Sequence, residues 1–230
     1  TAATNWRIGF AFAVLCLVVS TLVIFNRVTN AVREVHESRS TTPQRVTGNS
    51  WLVVATMFFI MCSAQNLFVT FGAWLEDEFQ FGAARLAVAG FSLGLVELVA
   101  SVSSARQTDK WGKERSIALG ALLVIPGGIF LSLGSENLII GLIGVFIYFL
   151  GFEFSVVSLL PLATKLVPNS PGTGLGWVLG AGTLGRAVMA IVATNLFESF
   201  GVRGPALMGA FFGLLGAITI TRYRRVIASN

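Results

Sequence analysis

The sequence predicts an all-α membrane protein with seven transmembrane helices. Hydrophobic residues make up 54% of the 230 residues and charged residues only 12%, whereas a soluble domain carries about 25% charged residues. The apolar residues are also grouped into long stretches, and a membrane-spanning helix needs about 20 such residues. With so little charge the chain cannot cover a globular surface that faces water, so soluble classes of protein are excluded.

Polar connections separate the apolar stretches, and Gly, Pro, Asn and Ser are frequent in them. The predicted spans cover residues 8–26, 51–74, 86–106, 116–134, 138–163, 174–197 and 204–221. The connection 27–50 is the only long one, and its polar composition predicts a cytoplasmic linker. It contains the only histidine, His36, which we interpret as a solvated side chain because no second metal ligand lies near it.

The distribution of Lys and Arg predicts the orientation, because basic residues concentrate in cytoplasmic loops. Alternate connections hold twelve basic residues on one side and three on the other. The first group is Arg27, Arg33, Arg39, Arg45, Arg106, Lys110, Lys113, Arg115, Lys165, Arg222, Arg224 and Arg225; the second is Arg7, Arg85 and Arg203. This predicts an outside N-terminus and a cytoplasmic C-terminus. Topology also accounts for the net charge of +5, so no nucleic acid partner is predicted.

The residue types that enzymes use are not grouped in this chain. No nucleophile–base set, metal-ligand cluster or nucleotide loop is found in the sequence, so we predict neither an enzyme nor a cofactor or metal. Residues 172–176 imitate a glycine-rich loop without the strand that should precede it. Cys16 and Cys62 lie inside apolar stretches and are interpreted as small buried side chains.

Three ionisable residues lie near the centres of predicted spans: Glu97, Glu153 and Arg186. An ion at that depth costs about 2.5–3.5 kcal/mol on insertion scales, so such residues face a wet cavity or a partner. They are candidates for a substrate or proton path, and the alternative is an Arg186–carboxylate pair that only holds helices together. Gln65 and Asn66, in the span 51–74, are also candidates. Two roles are open for them: they bind a substrate, or they form hydrogen bonds to a neighbouring helix.

Charge and glycine content divide the spans further. The spans 8–26, 116–134 and 204–221 carry no charge near their centres and are predicted to face lipid, while the other four form an inner set. Gly176 and Gly180 form a Gly-x-x-x-Gly pair, which Gly182 and Gly185 follow. Small residues at this spacing let helix backbones approach each other closely, so tight packing is predicted there.

The connection 105–115 contains Ala-Arg-Gln-Thr-Asp-Lys-Trp-Gly-Lys-Glu-Arg. It resembles the signature loop of the major facilitator superfamily, Gly-x-x-x-Asp-(Arg/Lys)-x-Gly-(Arg/Lys)-(Arg/Lys). Asp109, Lys110, Gly112 and Lys113 match this pattern. Ala105 replaces the first Gly, and Glu114 takes the place of a basic residue, with Arg115 following. Residues 94–99, 151–155 and 185–186 are similar to runs in bacterial arabinose-efflux-like and drug-efflux-like permeases.

The resemblance implies the sixth to twelfth helices of a major-facilitator fold. Residues 1–26 would be the last helix of the N-terminal half, 27–50 the central linker and 51–225 the C-terminal six-helix bundle. Asp109 would be the gating acid, and Gly112 would permit the tight turn. The basic neighbours of Asp109 would be Lys110, Lys113 and Arg115.

The function implied is secondary active transport in the bacterial cytoplasmic membrane. Proton-coupled export of a small organic molecule by alternating access is expected, with a missing N-terminal half as the partner. The alternative is a non-transporting scaffold or assembly subunit of a larger membrane complex, because some members of the superfamily have that role.

Overall fold

The computed structural model describes residue 11, residues 14–16, 18–22, 46, 48–167 and 170–228. The chain divides into two compact units, Thr1–Pro43 and Gln44–Asn230. In the first unit the described residues are helical and fall within the predicted span 8–26. The remainder of that span, and the linker 27–50 apart from Val46 and Gly48–Ser50, lie outside the described residues, His36 included.

The second unit contains six long α-helices. They are α1 (Trp51–Phe79), α2 (Ala83–Trp111), α3 (Lys113–Leu133), α4 (Leu138–Ala163), α5 (Pro171–Phe200) and α6 (Arg203–Ala228). All six are long and apolar enough to cross a membrane. The all-α membrane fold class is therefore confirmed, together with the last six predicted spans.

Most of the helices extend beyond the predicted spans. For example, α1 continues through Glu76, Asp77 and Glu78, and α2 continues through Asp109 and Lys110. Hydropathy marks only the part of a helix that can sit in hydrocarbon, whereas backbone hydrogen bonds also form where the side chains are polar. The connections are correspondingly shorter than predicted.

The helix contacts follow a two-fold pattern. Helix α1 packs against α5 and α6, and α4 packs in the same way against α2 and α3. In addition, α3 contacts α6 and α1 contacts α4. Exchanging α1–α3 with α4–α6 converts this set of contacts into itself. Equivalent helices are three positions apart in the chain, with two helices between them, so the two triplets run in opposite directions, as in the inverted repeats of transporters.

Tyr148 on α4 joins three helices in the core. Its hydroxyl is fully buried and donates to the backbone oxygen of Ser63 on α1 at 2.7 Å. The Ser63 hydroxyl lies 2.8 Å from that of Tyr148 and donates to the backbone oxygen of Gly209 on α6, also at 2.8 Å. These bonds satisfy polar atoms that have no access to water, and they hold α1, α4 and α6 in register.

Glycines allow α3 and α4 to approach each other closely. A Cβ atom added at Gly127 would lie 2.5 Å from the backbone nitrogen of Tyr148, and one at Gly144 would lie 2.5 Å from that of Leu131. Gly120 and Gly151 form a second pair of the same kind, about two helical turns away along the same two helices. Because lipid tails are as apolar as the side chains, such backbone contact is a main source of helix association in membranes.

The close packing predicted for the glycines of α5 is confirmed at Gly182 and Gly185 but is not seen at Gly176 and Gly180 among the described residues. No atom lies within 4 Å of a Cβ placed at either glycine, so both face open space. The close approach is made instead by Gly185, where a Cβ would lie 2.6 Å from the backbone oxygen of Phe58 on α1, and by Gly182, which faces Met57 and Met61 of the same helix. Successive residues turn by about 100° in an α-helix, so Gly182 points about 200° away from Gly180.

The prediction that charge-free spans face lipid is incomplete. Helices α3 and α6 do expose apolar side chains, such as Phe130 and Phe211, but both also bury a face against α1 or α4. The least buried helices are α2 and α5, with 17% and 22% of their most apolar segments buried against 44–56% in the other four. Charge content therefore does not predict which helices are open.

Replacing Gly127 by Ala should destabilise the bundle by about 1–3 kcal/mol, the usual cost of overpacking a filled interior. The added methyl group would press on the backbone of α4, which cannot rotate away as a side chain can. The measurement is reversible unfolding in detergent, followed by near-ultraviolet circular dichroism. Gly90→Ala on α2 is the matched control, because its Cβ has no atom within 4 Å. Equal stability of the two variants would contradict the role assigned to Gly127.

Candidate functional site

Arg186 lies halfway along α5 and points to α1. Its Nε donates to Gln65 Oε1 at 2.9 Å, and its guanidinium carbon sits 5.2 Å from the centre of the Phe68 ring. The side chain is exposed in the bundle. The Arg186–carboxylate pair considered from the sequence is not formed, since no carboxylate oxygen lies within ion-pair distance of Arg186 among the described residues.

Glu153 and Glu97 form the acidic counterpart on α4 and α2. The Ser101 hydroxyl of α2 donates to Glu153 Oε1 at 2.6 Å. Glu97 lies one helix turn before Ser101 and is close enough to Glu153 for their charges to interact. Both carboxylates are half-buried. The structure therefore brings together two acids that are 56 positions apart in the sequence.

Three aromatic rings join the basic and the acidic groups. Phe68, which lies under Arg186, packs edge-on against Phe149 at 4.7 Å and Phe152 at 5.7 Å between ring centres. Phe152 precedes Glu153 in α4. We call Gln65, Phe68, Glu97, Glu153 and Arg186 the midplane site, because all five lie near the middle of their helices.

Asn66 does not belong to the midplane site. It is fully buried, and its Nδ2 donates to the backbone oxygen of Cys62 at 2.8 Å within α1. Gln65, the neighbouring residue, lies on the open side with Arg186. Neither of the two roles considered for Asn66 is seen among the described residues, because the side chain is buried and its hydrogen bond stays within α1. Its Oδ1 has no hydrogen-bond partner among the described residues.

Sequence reasoning missed Phe68 and Ser101. Each lies three or four residues after a predicted site residue, Gln65 or Glu97, and residues at this spacing share a helix face. Helical spacing could therefore have identified Ser101, since a hydroxyl on the face of a buried acid is a natural hydrogen-bond donor. No such signal exists for Phe68, because the chain holds 19 phenylalanines.

The signature segment 105–115 is almost entirely helical, which corrects its description as a connection. Helix α2 ends at Trp111 and α3 begins at Lys113, so Gly112 alone lies between them. Gly112 has a φ of +88°, a conformation that L side chains rarely adopt, and its N–H donates to the backbone oxygen of Thr108 at 3.0 Å. The expectation that Gly112 makes the tight turn is consistent with this geometry.

Lys113 links the segment to the end of α4. Its Nζ donates to the backbone oxygen of Pro161 at 3.5 Å, one of the last carbonyls of α4, which have no partner within the helix. A cation at a helix C-terminus also interacts favourably with the helix dipole. Lys113 interacts electrostatically with Lys165, Asp109 and Glu114, while Asp109, Lys110 and Arg115 are themselves exposed.

Three hydroxyl groups connect α2 to α4 at the start of this segment. Ser158 Oγ of α4 lies 2.8 Å from both Ser104 Oγ and Thr108 Oγ1 of α2. The two α2 hydroxyls are 3.1 Å apart, and all three side chains are buried. We call Ser104, Thr108 and Ser158 the hydroxyl cluster. Thr108 immediately precedes Asp109, so this cluster anchors the signature segment to α4.

Acidic side chains gather at the other end of the bundle. A cavity of about 590 Å³ is lined by residues that include Asp77, Glu78, Glu136 and Glu198. Arg203 lies among them, and its Nη2 is 2.6 Å from Glu136 Oε1 while its Nε donates to Ser135 Oγ at 2.9 Å. The bundle thus has an acidic end and, around Lys113 and Lys165, a basic end, as the alternation of charge in the sequence predicts.

A helical bundle of inverted repeats with ionisable residues at mid-depth is the architecture of a membrane transporter. The comparisons with known proteins agree with this class. Residues 1–190 match the Major Facilitator Superfamily, and the chain belongs to that family. It is also 26% identical over 241 residues to a gentisate transporter of Corynebacterium glutamicum.

That alignment covers 94% of this chain and 52% of the relative, so the chain spans about half the length of the curated relative it matches. The chain is therefore a multi-pass membrane protein of this transporter family. The alternative of a scaffold or assembly subunit is not favoured by these matches.

Replacing Ser158 by Ala should destabilise the protein by about 1–2 kcal/mol, because polar contacts between membrane helices contribute roughly 0.6 kcal/mol each, with a maximum near 1.7. The change removes two hydrogen bonds between α2 and α4 and leaves Ser104 and Thr108 only each other and a weak bond from Ser104 to the Phe154 backbone. Thermal unfolding in detergent measures the effect. In the control Ser92→Ala, the lost hydroxyl bonds only to Val88 in its own helix. A loss in the control as large as that in Ser158→Ala would rule out a special role for the hydroxyl cluster.

Proposed function

We propose that this chain carries out proton-coupled secondary transport of a small organic molecule, with export as the direction, as part of a longer transporter. The observation that supports the proposal best is the midplane site. There Glu97 and Glu153 interact with each other, and Arg186 lies on the neighbouring helix pair without a counter-ion among the described residues. Ionisable residues at this depth in transporters mark substrate and proton pathways.

The paired carboxylates supply a reason for proton coupling. Two adjacent carboxylates repel each other when both are ionised, and one bound proton removes that repulsion. The Ser101 hydroxyl stabilises the charge on Glu153 by its 2.6 Å hydrogen bond. We therefore assign Glu97 as the group that takes up and releases the proton. Glu153 is the neighbouring carboxylate whose negative charge favours protonation of Glu97.

The signature segment supplies a reason for alternating access. Glu97 lies on α2 and Glu153 on α4, and the hydroxyl cluster and Lys113 connect the same region to the basic end of the bundle. A shift of the basic end of α2 relative to α4 therefore changes the separation of the two carboxylates. In this mechanism Asp109, Lys110, Lys113 and Arg115 contact the other half of the transporter, and Gly112 serves as the turn.

The open faces of α2 and α5 support the presence of a partner. Both helices expose large apolar side chains, among them Phe91, Leu95, Leu184 and Ile191. We propose that another part of the transporter packs against these faces. The assignment of residues 1–26 to the last helix of the N-terminal half, and of 27–50 to the linker, also remains a proposal. The curated relative, of which this chain covers 52%, is long enough to contain such a half.

The proposed location is the bacterial cytoplasmic membrane, with the basic end of the bundle in the cytoplasm. Lys110, Lys113, Arg115 and Lys165 lie at that end, and the acids Asp77, Glu136 and Glu198 lie at the other. By the positive-inside rule the C-terminus of this chain is then cytoplasmic and its N-terminus outside.

Glu97→Gln and Glu153→Gln should each lower proton-driven transport by about tenfold or more, because each change removes one of the two ionisable groups on the proposed proton path. Exchange of solute without net proton movement should persist. The measurement uses the whole gene product in proteoliposomes, with radiolabelled gentisate as the first solute and an imposed pH gradient. Glu198→Gln, at the acidic end, is the matched control and should transport as the unmodified protein does.

The direction is tested with everted vesicles that are acidified inside. An exporter that exchanges the solute for protons accumulates it there, and a symporter does not. Normal transport by Glu97→Gln, Glu153→Gln and Arg186→Ala alike would show that the midplane site is not the path.

A further inference from the structure

We infer that the solute bound at the midplane site is an aromatic carboxylate, held by Arg186 through its carboxylate and by the phenylalanines through its ring. This inference rests on the proposed function and narrows its substrate class. Three observations carry it: no described residue neutralises the charge of Arg186, its side chain is held by Gln65 and Phe68, and apolar rings lie beside it.

Within the described part of the chain, Arg186 has no counter-ion, whereas another arginine of the same bundle has one. Arg203 donates its Nε to Ser135 and forms an ion pair with Glu136 at 2.6 Å. Arg186 donates its Nε to Gln65 in the same manner but has no ion pair within the described part of the chain. A charge in the middle of a bilayer is costly when nothing balances it, so a bound anion would stabilise the site.

The side chain of Arg186 is held ready to receive a carboxylate. Gln65 Oε1 accepts a hydrogen bond from Nε, and the guanidinium carbon lies 5.2 Å from the centre of the Phe68 ring. Neither terminal nitrogen of Arg186 bonds to a residue that the structure describes, and the side chain is exposed. Two parallel N–H groups of a guanidinium match the two oxygens of a carboxylate, which makes this pairing stronger and more specific than a single bond.

The two acids of the site do not neutralise Arg186. Glu153 accepts from Ser101, and Glu97 interacts with Glu153. The positive charge lies on the α1–α5 pair and the negative charges lie on the α2–α4 pair, so an anionic solute and a proton can bind at separate places. An organic cation, by contrast, would meet the repulsion of Arg186.

The phenylalanine side chains beside Arg186 favour a solute whose remaining part is an aromatic ring rather than a polar group. Phe68 is 38% exposed and packs edge-on against Phe149 and Phe152. Aromatic rings add favourable edge-to-face contacts to such a cluster. A sugar would need many polar partners for its hydroxyls, and beyond the charged residues the described site offers only Gln65 and Ser101.

Binding of four probes to the whole gene product in nanodiscs tests the inference: benzoate, benzyl alcohol, benzylamine and cyclohexanecarboxylate. Ligand-induced thermal stabilisation or quenching of tryptophan fluorescence measures the affinity. We expect benzoate to bind at least about tenfold more tightly than benzyl alcohol or benzylamine, since hydrogen bonds to charged groups are the strong ones. A tighter binding of benzylamine or of benzyl alcohol than of benzoate would overturn the inference.

Gln65→Glu is the sharpest variant, because it places a carboxylate of the same shape at 2.9 Å from Arg186. The new carboxylate supplies an internal counter-ion, so benzoate should bind at least about tenfold more weakly while the thermal stability stays equal or rises. A stable Gln65→Glu protein that binds benzoate with full affinity would show that Arg186 is not the anion site.

Arg186→Gln should remove the preference for benzoate over benzyl alcohol, and Arg203→Gln, the matched control at the acidic end, should retain it. Retention of the preference in Arg186→Gln would overturn the inference, as would its loss in Arg203→Gln. Phe68→Leu should reduce the preference for benzoate over cyclohexanecarboxylate by about threefold, in the range of one aromatic contact. An unchanged preference there would overturn the aromatic part.

These measurements need no proton gradient, so they separate this inference from the proposed function. Benzoate binding as expected, with normal transport by Glu97→Gln and Glu153→Gln, would contradict the proton coupling alone. Proton-coupled transport of a cation or of a neutral solute, with no binding of benzoate, would contradict the substrate class alone.

Discussion

The cost of an ion in the middle of a bilayer is the constraint on which the rest of this structure depends. Three ionisable side chains lie at that depth, and each is held by a polar partner or faces a second charge. Glu153 receives a hydrogen bond from Ser101, and Arg186 donates one to Gln65. Neither interaction neutralises the charge. The uncompensated charges therefore raise the free energy of the site, and a bound counter-ion or proton would lower it.

The inverted repeat explains where these pairs form. Gln65 and Arg186 join α1 to α5, and Ser101 and Glu153 join α4 to α2. Exchange of the two triplets converts the first helix pair into the second, so the two polar pairs occupy related places and carry opposite charge. Each pair joins a well-buried helix to one of the two open helices. The site therefore lies at the border between the packed core and the open face.

Packing of the core is what keeps the site at a fixed depth. Because lipid gives little hydrophobic drive for helices to associate, backbone contact and buried hydroxyl bonds carry this role. The glycines of α3 and α4 and the bonds of Tyr148 and Ser63 hold α1, α3, α4 and α6 together. Helix α2 is attached more sparsely, mainly to α4 and through the hydroxyl cluster. A helix with few attachments can shift with respect to its neighbours, and α2 carries both Glu97 and the signature segment.

The sequence by itself determined the fold class, six of the spans and the grouping of charge at two ends, because hydropathy and the placement of Lys and Arg are local properties of the chain. It also made Glu97, Glu153, Arg186 and Gln65 candidates for a site, since a polar residue inside an apolar stretch is conspicuous. Only the tertiary structure decided that Arg186 bonds to Gln65 rather than to an acid, that Asn66 is buried, and that Gly182 and Gly185 rather than Gly176 and Gly180 contact α1. These facts depend on which helices are neighbours and on how each is rotated, and both are set by contacts between residues far apart in the chain.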